Sequence, residues 1–175
     1  MNRSALEQIP FFVYGTLIPG QPNDHLWGEG IRRVETAVFA HGKLFDMGTY
    51  PMLVEGGAGI VQGKLISVAN GSYEEILARL DYLEGYAPEQ PTASGYRRVK
   101  REVITLSGRS VLSWVYVGRL DQAGGFELIP GGKWVTYSAS MRSRMDHWWE
   151  SIQTVSGRHG GVEDDGTSTP FQNDE

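Results

Sequence analysis

The stretch IPFFVYGTL, residues 9–17, is the segment on which the fold of this chain depends. Its apolar and aromatic run from Ile9 to Tyr14 is typical of a buried strand, and Gly15 permits the tight turn in which such a strand ends. Turn-forming residues then crowd together in PGQPND, residues 19–24. That density predicts a loop, the kind of segment that often carries function.

Four further segments have the composition of β-strands and predict a mostly antiparallel sheet. Residues 34–45 and 60–68 are the first two, separated by a glycine-rich segment over residues 47–59. Residues 96–106 and 111–117 are the other two, and the Ser-Gly-Arg sequence between them favours a hairpin turn.

A first helix is predicted to begin near Ser72. The sequence SYEE from this residue has the spacing of a capping box, and Ile76, Leu80 and Leu83 follow at helical intervals on one face. Gly85 is a suitable residue for the helix end.

A second, amphipathic helix is predicted over residues 134–155, packed against the body of the domain. Four residues at helical spacing would form its apolar stripe: Met141, Met145, Trp148 and Ile152. Residues 156–175 have little to bury, which predicts a flexible polar tail. The chain therefore reads as one domain over residues 1–155.

The composition excludes several classes of protein. The chain has 175 residues, no cysteine and a formal net charge of −5. Disulfides and thiolate nucleophiles are therefore excluded. The clustered excess of Lys and Arg that binds nucleic acid is missing, so no nucleic-acid partner is expected. No signal or transmembrane run is visible, which predicts a cytoplasmic protein with no membrane association. The four histidines lack metal-ligand spacing, so no metal site is expected.

Glu84 is the unusual residue of the first predicted helix. A carboxylate in the last turn faces the negative end of the helix dipole, which raises its pKa. Desolvation by its neighbours Tyr82, Leu83 and Tyr86 would raise the pKa further, and such a group suits a general base. The alternative is a solvated glutamate at a frayed helix end.

The turn Tyr14-Gly15-Thr16-Leu17 is a second candidate for chemistry. Because Gly15 allows close approach to the backbone, successive N–H groups there could hold an anion or a developing oxyanion. The alternative is an ordinary turn between a strand and a loop.

Two paired motifs stand out along the chain, VYGTL at residues 13–17 and LDYLEGY at residues 80–86. Shorter segments accompany them: GKLF from Gly42, YP from Tyr50, GKL from Gly63, YRR from Tyr96 and WVY from Trp114. Taken together and in this order, these motifs resemble those of γ-glutamylcyclotransferase-like proteins, in the γ-glutamylamine cyclotransferase and avirulence-induced-gene-like branch. The resemblance covers residues 11–118. The chain departs from the family pattern at a Pro-containing insert over residues 87–95 and after Leu120. These departures leave the identity of the leaving group undetermined.

The resemblance implies an α+β fold, a small and mostly antiparallel β-barrel with flanking helices. It also implies an enzyme that needs no cofactor. The α-amine of a small γ-glutamyl substrate attacks the γ-carbonyl, giving 5-oxoproline and a free amine or amino acid, and Glu84 moves the proton. The residues expected to bind the substrate are Tyr14, Gly15, Thr16, Leu17, Tyr50, Pro51, Arg98 and Tyr116.

Other interpretations of the sequence stay open. The chain could be a non-catalytic module that retains the γ-glutamyl pocket for binding, or an interaction domain whose carboxy-terminal helix docks a partner. Tyr116 could be an aromatic packing residue, and Arg98 a charge on a strand surface. Nothing in the sequence indicates an oligomeric state.

Overall fold

The first strand is shorter than the apolar run that predicts it, and spans Phe11–Val13 as β1. A computed structural model describes residues 8–90 and 95–156, with side chains up to residue 147. β1 pairs antiparallel with one neighbouring strand and parallel with another. Because Pro10 has no N–H to donate to a ladder, regular pairing begins at Phe11.

Five of the strands in the described residues close into a barrel. In chain order the strands are β1 (Phe11–Val13), β2 (Ile31–Asp46), β3 (Pro51–Val68), β4 (Arg97–Thr105), β5 (Ser110–Val117) and β6 (Glu127–Leu128). The pairing order is β3-β1-β5-β4-β2, a β2–β3 pair completes the ring, and β6 pairs with the end of β2. Of these pairs, β1–β5 is parallel and the others are antiparallel. The predicted small, mostly antiparallel barrel is confirmed.

Strand β3 begins earlier than predicted and includes the glycine-rich segment. The prediction that residues 47–59 separate two strands is wrong, since residues 47–50 alone connect β2 to β3. Residues 56–59 instead form an irregularity where the β2–β3 register shifts between Ala40 and Gly42. Gly56 and Gly57 have φ values of 116° and 81° there, a region that glycine enters without steric cost. All four ends of the two strands in the β4–β5 hairpin lie within one residue of their predicted positions.

The core has two faces because side chains alternate along β1. Phe12 points into a cluster that all five barrel strands share. Phe11 and Val13 point the other way, into a cluster with one face of the first helix, α1 (Tyr73–Leu83). From that helix, Ile76 and Leu80 are fully buried. Burial on both faces explains why the first strand is a continuous apolar run.

Helix α1 ends as predicted but begins differently. The Gly85 N–H donates to the Tyr82 carbonyl at 3.2 Å, and the Tyr86 N–H donates to the Asp81 carbonyl at 2.8 Å. With Gly85 at φ 63°, this is the Schellman pattern. Ser72 makes no side-chain cap bond, so the predicted capping box does not form. Its backbone is already helical, whereas a capping serine is extended.

Two further helices are α2 (Leu120–Ala123) and α3 (Trp134–Ser156). The chain divides into two compact units, Met1–Tyr137 and Ser138–Glu175, with the boundary inside α3. The predicted single domain and the packing of the apolar stripe on α3 stay predictions. Beyond Ser156, the predicted tail lies outside the described residues. In the described part of the chain, every helix is too short or too polar to span a bilayer.

Candidate active site

A cavity of about 650 Å³ opens in the first unit where β1 ends. Its wall combines the turn after β1, the β2–β3 connection, the end of α1, the residues before β4, and α2. Pockets of this size bind small organic ligands. The expected site residues on this wall are Tyr14, Gly15, Thr16, Leu17, Tyr50, Pro51, Glu84 and Tyr116.

The turn after β1 contributes successive backbone N–H groups to the cavity wall. The Ile18 N–H donates to the Gly15 carbonyl at 3.1 Å, and the Asn23 N–H donates to the Thr16 carbonyl at 2.9 Å. These bonds hold the turn. Within the described residues, the N–H groups of Gly15, Thr16 and Leu17 donate to no protein acceptor. Successive N–H groups of this kind suit an anion.

Gly15 is needed because the Pro51 ring packs directly on it. An added Cβ on Gly15 would lie 2.6 Å from Cγ and 2.8 Å from Cδ of Pro51. We expect the Gly15→Ala variant to lose about 1–3 kcal/mol of unfolding free energy, the usual cost of overpacking. Urea unfolding would measure this loss, and adding Pro51→Ala should recover part of it. Gly71→Ala is the matched control, since nothing lies within 4 Å of the added Cβ. Equal losses in the two single variants would contradict the steric assignment.

Glu84 lies at the end of α1, partly buried in the cavity wall. Desolvation by burial raises its pKa to about 7. The prediction that Tyr82 helps to desolvate Glu84 is wrong, because the Tyr82 side chain is 90% exposed. Tyr14 and Tyr96 also line the cavity and lie close to Glu84. Burial is the main cause that raises the pKa of both tyrosines, and the charge of Glu84 adds to the rise. The carboxyl group is therefore shielded beside a cavity.

Glu84 also makes the stability of the protein depend on pH. Its pKa rises from 4.5 in the unfolded chain to about 7 in the folded protein. At pH values between these two, the folded protein binds a proton at Glu84 that the unfolded chain has released. The free energy of unfolding therefore falls as pH rises through this window. Relative to Glu84→Gln, the natural protein should lose about 3 kcal/mol across it. Urea unfolding of both proteins at several pH values would measure the change, and a constant difference would count against the raised pKa.

Three of the tyrosines at the cavity donate their hydroxyl protons to protein acceptors. The Tyr14 hydroxyl donates to the Tyr116 carbonyl at 2.7 Å, and the Tyr96 hydroxyl donates to the Pro51 carbonyl at 3.2 Å. The Tyr116 hydroxyl donates to Asp81 Oδ1 at 2.7 Å. Tyr116 does line the cavity. Because its hydroxyl proton is donated to Asp81, that proton is not available for the expected hydrogen bond to a substrate.

Arg98 does not line the cavity, contrary to expectation. Its Nη1 donates to Asp81 Oδ2 at 2.6 Å, and the two side chains are only 9% and 13% exposed. The guanidinium lies 5.2 Å from the ring centroid of Tyr86 and 4.7 Å from that of Trp114, within cation–π range. Burial raises the pKa of Asp81, while Tyr116 and Arg98 oppose that rise. Since Asp81 precedes Glu84 by one helical turn, this buried pair fixes the helix end.

The family model described as "Gamma-glutamyl cyclotransferase, AIG2-like" matches residues 11–136 of the chain. The protein belongs to this family. The match extends past residue 118. The prediction that the chain departs from the family pattern after Leu120 is therefore wrong for the residues up to 136. Membership supports a cyclotransferase-type function in general. Among curated protein sequences, none matches this chain significantly.

Solved structures similar to this family member share its fold. YkqA from Bacillus subtilis is 23% identical with a TM-score of 0.57, over 77% of this chain and 42% of that one. This chain therefore spans less than half of YkqA. At3g28950.1 from Arabidopsis thaliana is 20% identical with a TM-score of 0.52, over 95% of both chains. The uropathogenic E. coli protein c4763 is 17% identical with a TM-score of 0.51, over 75% of this chain and 95% of that one.

Several residues at the cavity of this γ-glutamyl cyclotransferase family member were missed by reasoning from sequence. Tyr96 lines the cavity although only the arginine of its YRR motif was selected. The motif itself was the available signal. Met47, Met52 and Gln122 also line it, and nothing in their local sequence distinguishes them. Among the described residues, no group of three His, Asp or Glu could hold a metal ion.

Proposed function

We propose that this protein is a γ-glutamyl cyclotransferase that converts a γ-glutamyl amide into 5-oxoproline and a free amine or amino acid. One observation carries the proposal. Glu84, with a pKa raised to about 7, lines the same cavity as the unengaged N–H groups after β1. A proton carrier and an anion site in one cavity are what this cyclisation needs.

The reaction itself is intramolecular. The substrate's α-amine attacks its own γ-carbonyl, a five-membered lactam forms, and the bond to the leaving nitrogen breaks. Holding the substrate in a folded conformer supplies the proximity that a bimolecular reaction lacks. The chain's main task is therefore positioning, and no cofactor is required by this step.

Glu84 moves the proton in this mechanism. Its carboxylate takes a proton from the α-ammonium, which frees the amine to attack. The same group, now neutral, gives that proton to the departing nitrogen. The attacking nitrogen loses its second proton as the neutral lactam forms, and the released amine takes up that proton and leaves as an ammonium. A pKa near the working pH makes both directions accessible, which is the condition for efficient acid–base catalysis.

The turn after β1 supplies the anion site. The N–H groups of Gly15, Thr16 and Leu17 hold the substrate's α-carboxylate or the tetrahedral oxyanion, both of which need fixed donors in a site that excludes water. Pro51, packed on Gly15, keeps the turn in place. Tyr14 and Tyr50 complete the wall around the γ-glutamyl group.

The test is to incubate the purified full chain with γ-glutamyl dipeptides and γ-glutamylamines, and to quantify 5-oxoproline by chromatography. We expect release from at least one compound, with one free amine per 5-oxoproline. If no compound is turned over while calorimetry detects binding, the protein is a binding module and the proposed activity is wrong.

A further inference from the structure

The turn after β1 is hydrogen-bonded to a tryptophan that follows it in the chain. The loop after this turn leads into a short 3-10 turn, Asp24–Trp27. Trp27 is only 1% exposed, and its Nε1–H donates to the Leu17 carbonyl at 2.7 Å. Trp27 does not line the cavity, and the proposed mechanism does not use this buried donor.

The indole ring of Trp27 is packed in the core cluster that joins β1 to α1. It lies edge-on to Phe11 of β1, with ring centroids 5.6 Å apart and an interplanar angle of 65°. The same cluster includes Ile76 and Leu80 of α1. Because packing on several elements locks the ring, the direction of its N–H is fixed as well.

The Leu17 carbonyl depends on this one donor. In the part of the chain that the structure describes, Trp27 is the only residue that donates to it. A buried carbonyl without a donor is unfavourable. Without the indole N–H, the peptide that contains this carbonyl is therefore expected to rotate toward another donor.

Two peptide planes connect Trp27 to the cavity wall. A planar trans peptide carries its N–H and C=O in opposite directions, so that fixing one fixes the other. The Leu17 carbonyl shares its peptide with the Ile18 N–H, which donates to the Gly15 carbonyl at 3.1 Å. The Gly15 carbonyl in turn shares its peptide with the N–H of Thr16, which lines the cavity. The direction of the Thr16 N–H therefore depends on Trp27.

We propose that Trp27 is a positioning residue for this site: its indole N–H fixes the two peptides that hold the Thr16 N–H in place for the anionic group of the substrate. A donor that is already oriented needs no reorganisation during the reaction. The role in turnover rests on the proposed function, whereas the orientation of the two peptides can be tested without it.

The first test is the Trp27→Phe variant, which keeps an aromatic ring in the cluster and removes the N–H. With the γ-glutamyl compound that the natural protein turns over fastest, we expect kcat/KM to fall at least about tenfold. Removing an oxyanion donor outright costs about 10²–10³-fold. The inflection of kcat/KM with pH should stay near 7, because Glu84 is unchanged. A general loosening of the domain would expose Glu84 and move that inflection.

Trp134→Phe is the matched control for this variant. Trp134 is also a buried tryptophan, but it packs in the barrel cluster and does not line the cavity. Its replacement should leave both kcat/KM and the inflection unchanged.

Amide hydrogen exchange, followed by NMR, tests the peptide orientation directly. In Trp27→Phe the Ile18 N–H should exchange at least about tenfold faster than in the natural protein, whereas the amides of β5 should change much less, since the opening is local. If Trp27→Phe does not fold, β-(3-benzothienyl)-alanine in place of Trp27 decides the question. This residue replaces the indole N–H by sulfur at nearly constant size and should give the same results.

A kcat/KM equal to that of the natural protein, or an inflection that moves when kcat/KM falls, would overturn the inference while leaving the cyclotransferase activity in place. Exchange at Ile18 that accelerates no more than exchange in β5 would overturn it as well. If the natural protein releases 5-oxoproline from no γ-glutamyl compound, the proposed function fails. The exchange rates then decide by themselves whether Trp27 orients the turn.

Discussion

The Glu84→Gln variant is expected to form 5-oxoproline about 10²–10⁴-fold more slowly than the natural protein, the range that a positioned acid–base group contributes. Glutamine keeps the shape of the side chain and cannot carry the proton. The N–H groups after β1 are untouched, so the substrate should still bind. The loss should therefore appear in kcat, with Kd within a few-fold, measured by steady-state release and by calorimetry.

Glu74→Gln is the matched control for this experiment. Glu74 lies on the same helix, is exposed and does not line the cavity. It should turn over substrate like the natural protein. If Glu84→Gln and Glu74→Gln have equal rates, Glu84 is not the proton carrier. If affinity is lost together with turnover, Glu84 instead holds the substrate ammonium.

The Asp81→Ala variant is expected to lose about 3–5 kcal/mol of unfolding free energy, the cost of leaving a buried charge without its partner. Arg98 would keep its guanidinium between two aromatic rings and lose the carboxylate 2.6 Å away. The Tyr116 hydroxyl would lose its acceptor as well. Urea unfolding, with the midpoint and slope compared, would measure the loss.

Two controls separate the ion pair from simple loss of packing. The double variant Asp81→Leu, Arg98→Met removes both charges and should be more stable than Asp81→Ala, because no buried charge remains unpaired. The isosteric Asp81→Asn retains an acceptor for Tyr116 and tests positioning. Its kcat should fall more than its KM rises, because the helix turn that carries Glu84 loosens. An unchanged kcat in a folded Asp81→Asn would show that Asp81 is structural only.

Local sequence was sufficient where the cause of a feature is local. Gly85 ends α1 because the residue after a helix needs a positive φ, and the Ser-Gly-Arg turn closes the β4–β5 hairpin for the same reason. The continuous apolar run at Phe11–Val13 predicted a strand buried on both faces. The family resemblance of the ordered motifs implied the barrel, and the same motifs contain Glu84 and the turn after β1, which line one cavity.

The features that the sequence left open or did not indicate depend on contacts between distant segments. The Arg98 position on β4 suited a substrate contact equally well, and its carboxylate partner lies 17 residues away on a helix. Tyr116 was selected as a donor, and its proton goes to that same carboxylate. Met47, Met52 and Gln122 become one surface only when β2, β3 and α2 meet.

The amino-acid order alone was enough to specify the first strand and the helix that ends at Gly85, since short-range backbone preferences and burial on both faces govern these features. The barrel was expected from the family resemblance of the ordered motifs. The pKa of Glu84 and the engagement of Arg98 with Asp81 were established by the folded arrangement. Desolvation and charge pairing depend on distances across the fold, and neighbours in sequence do not fix those distances.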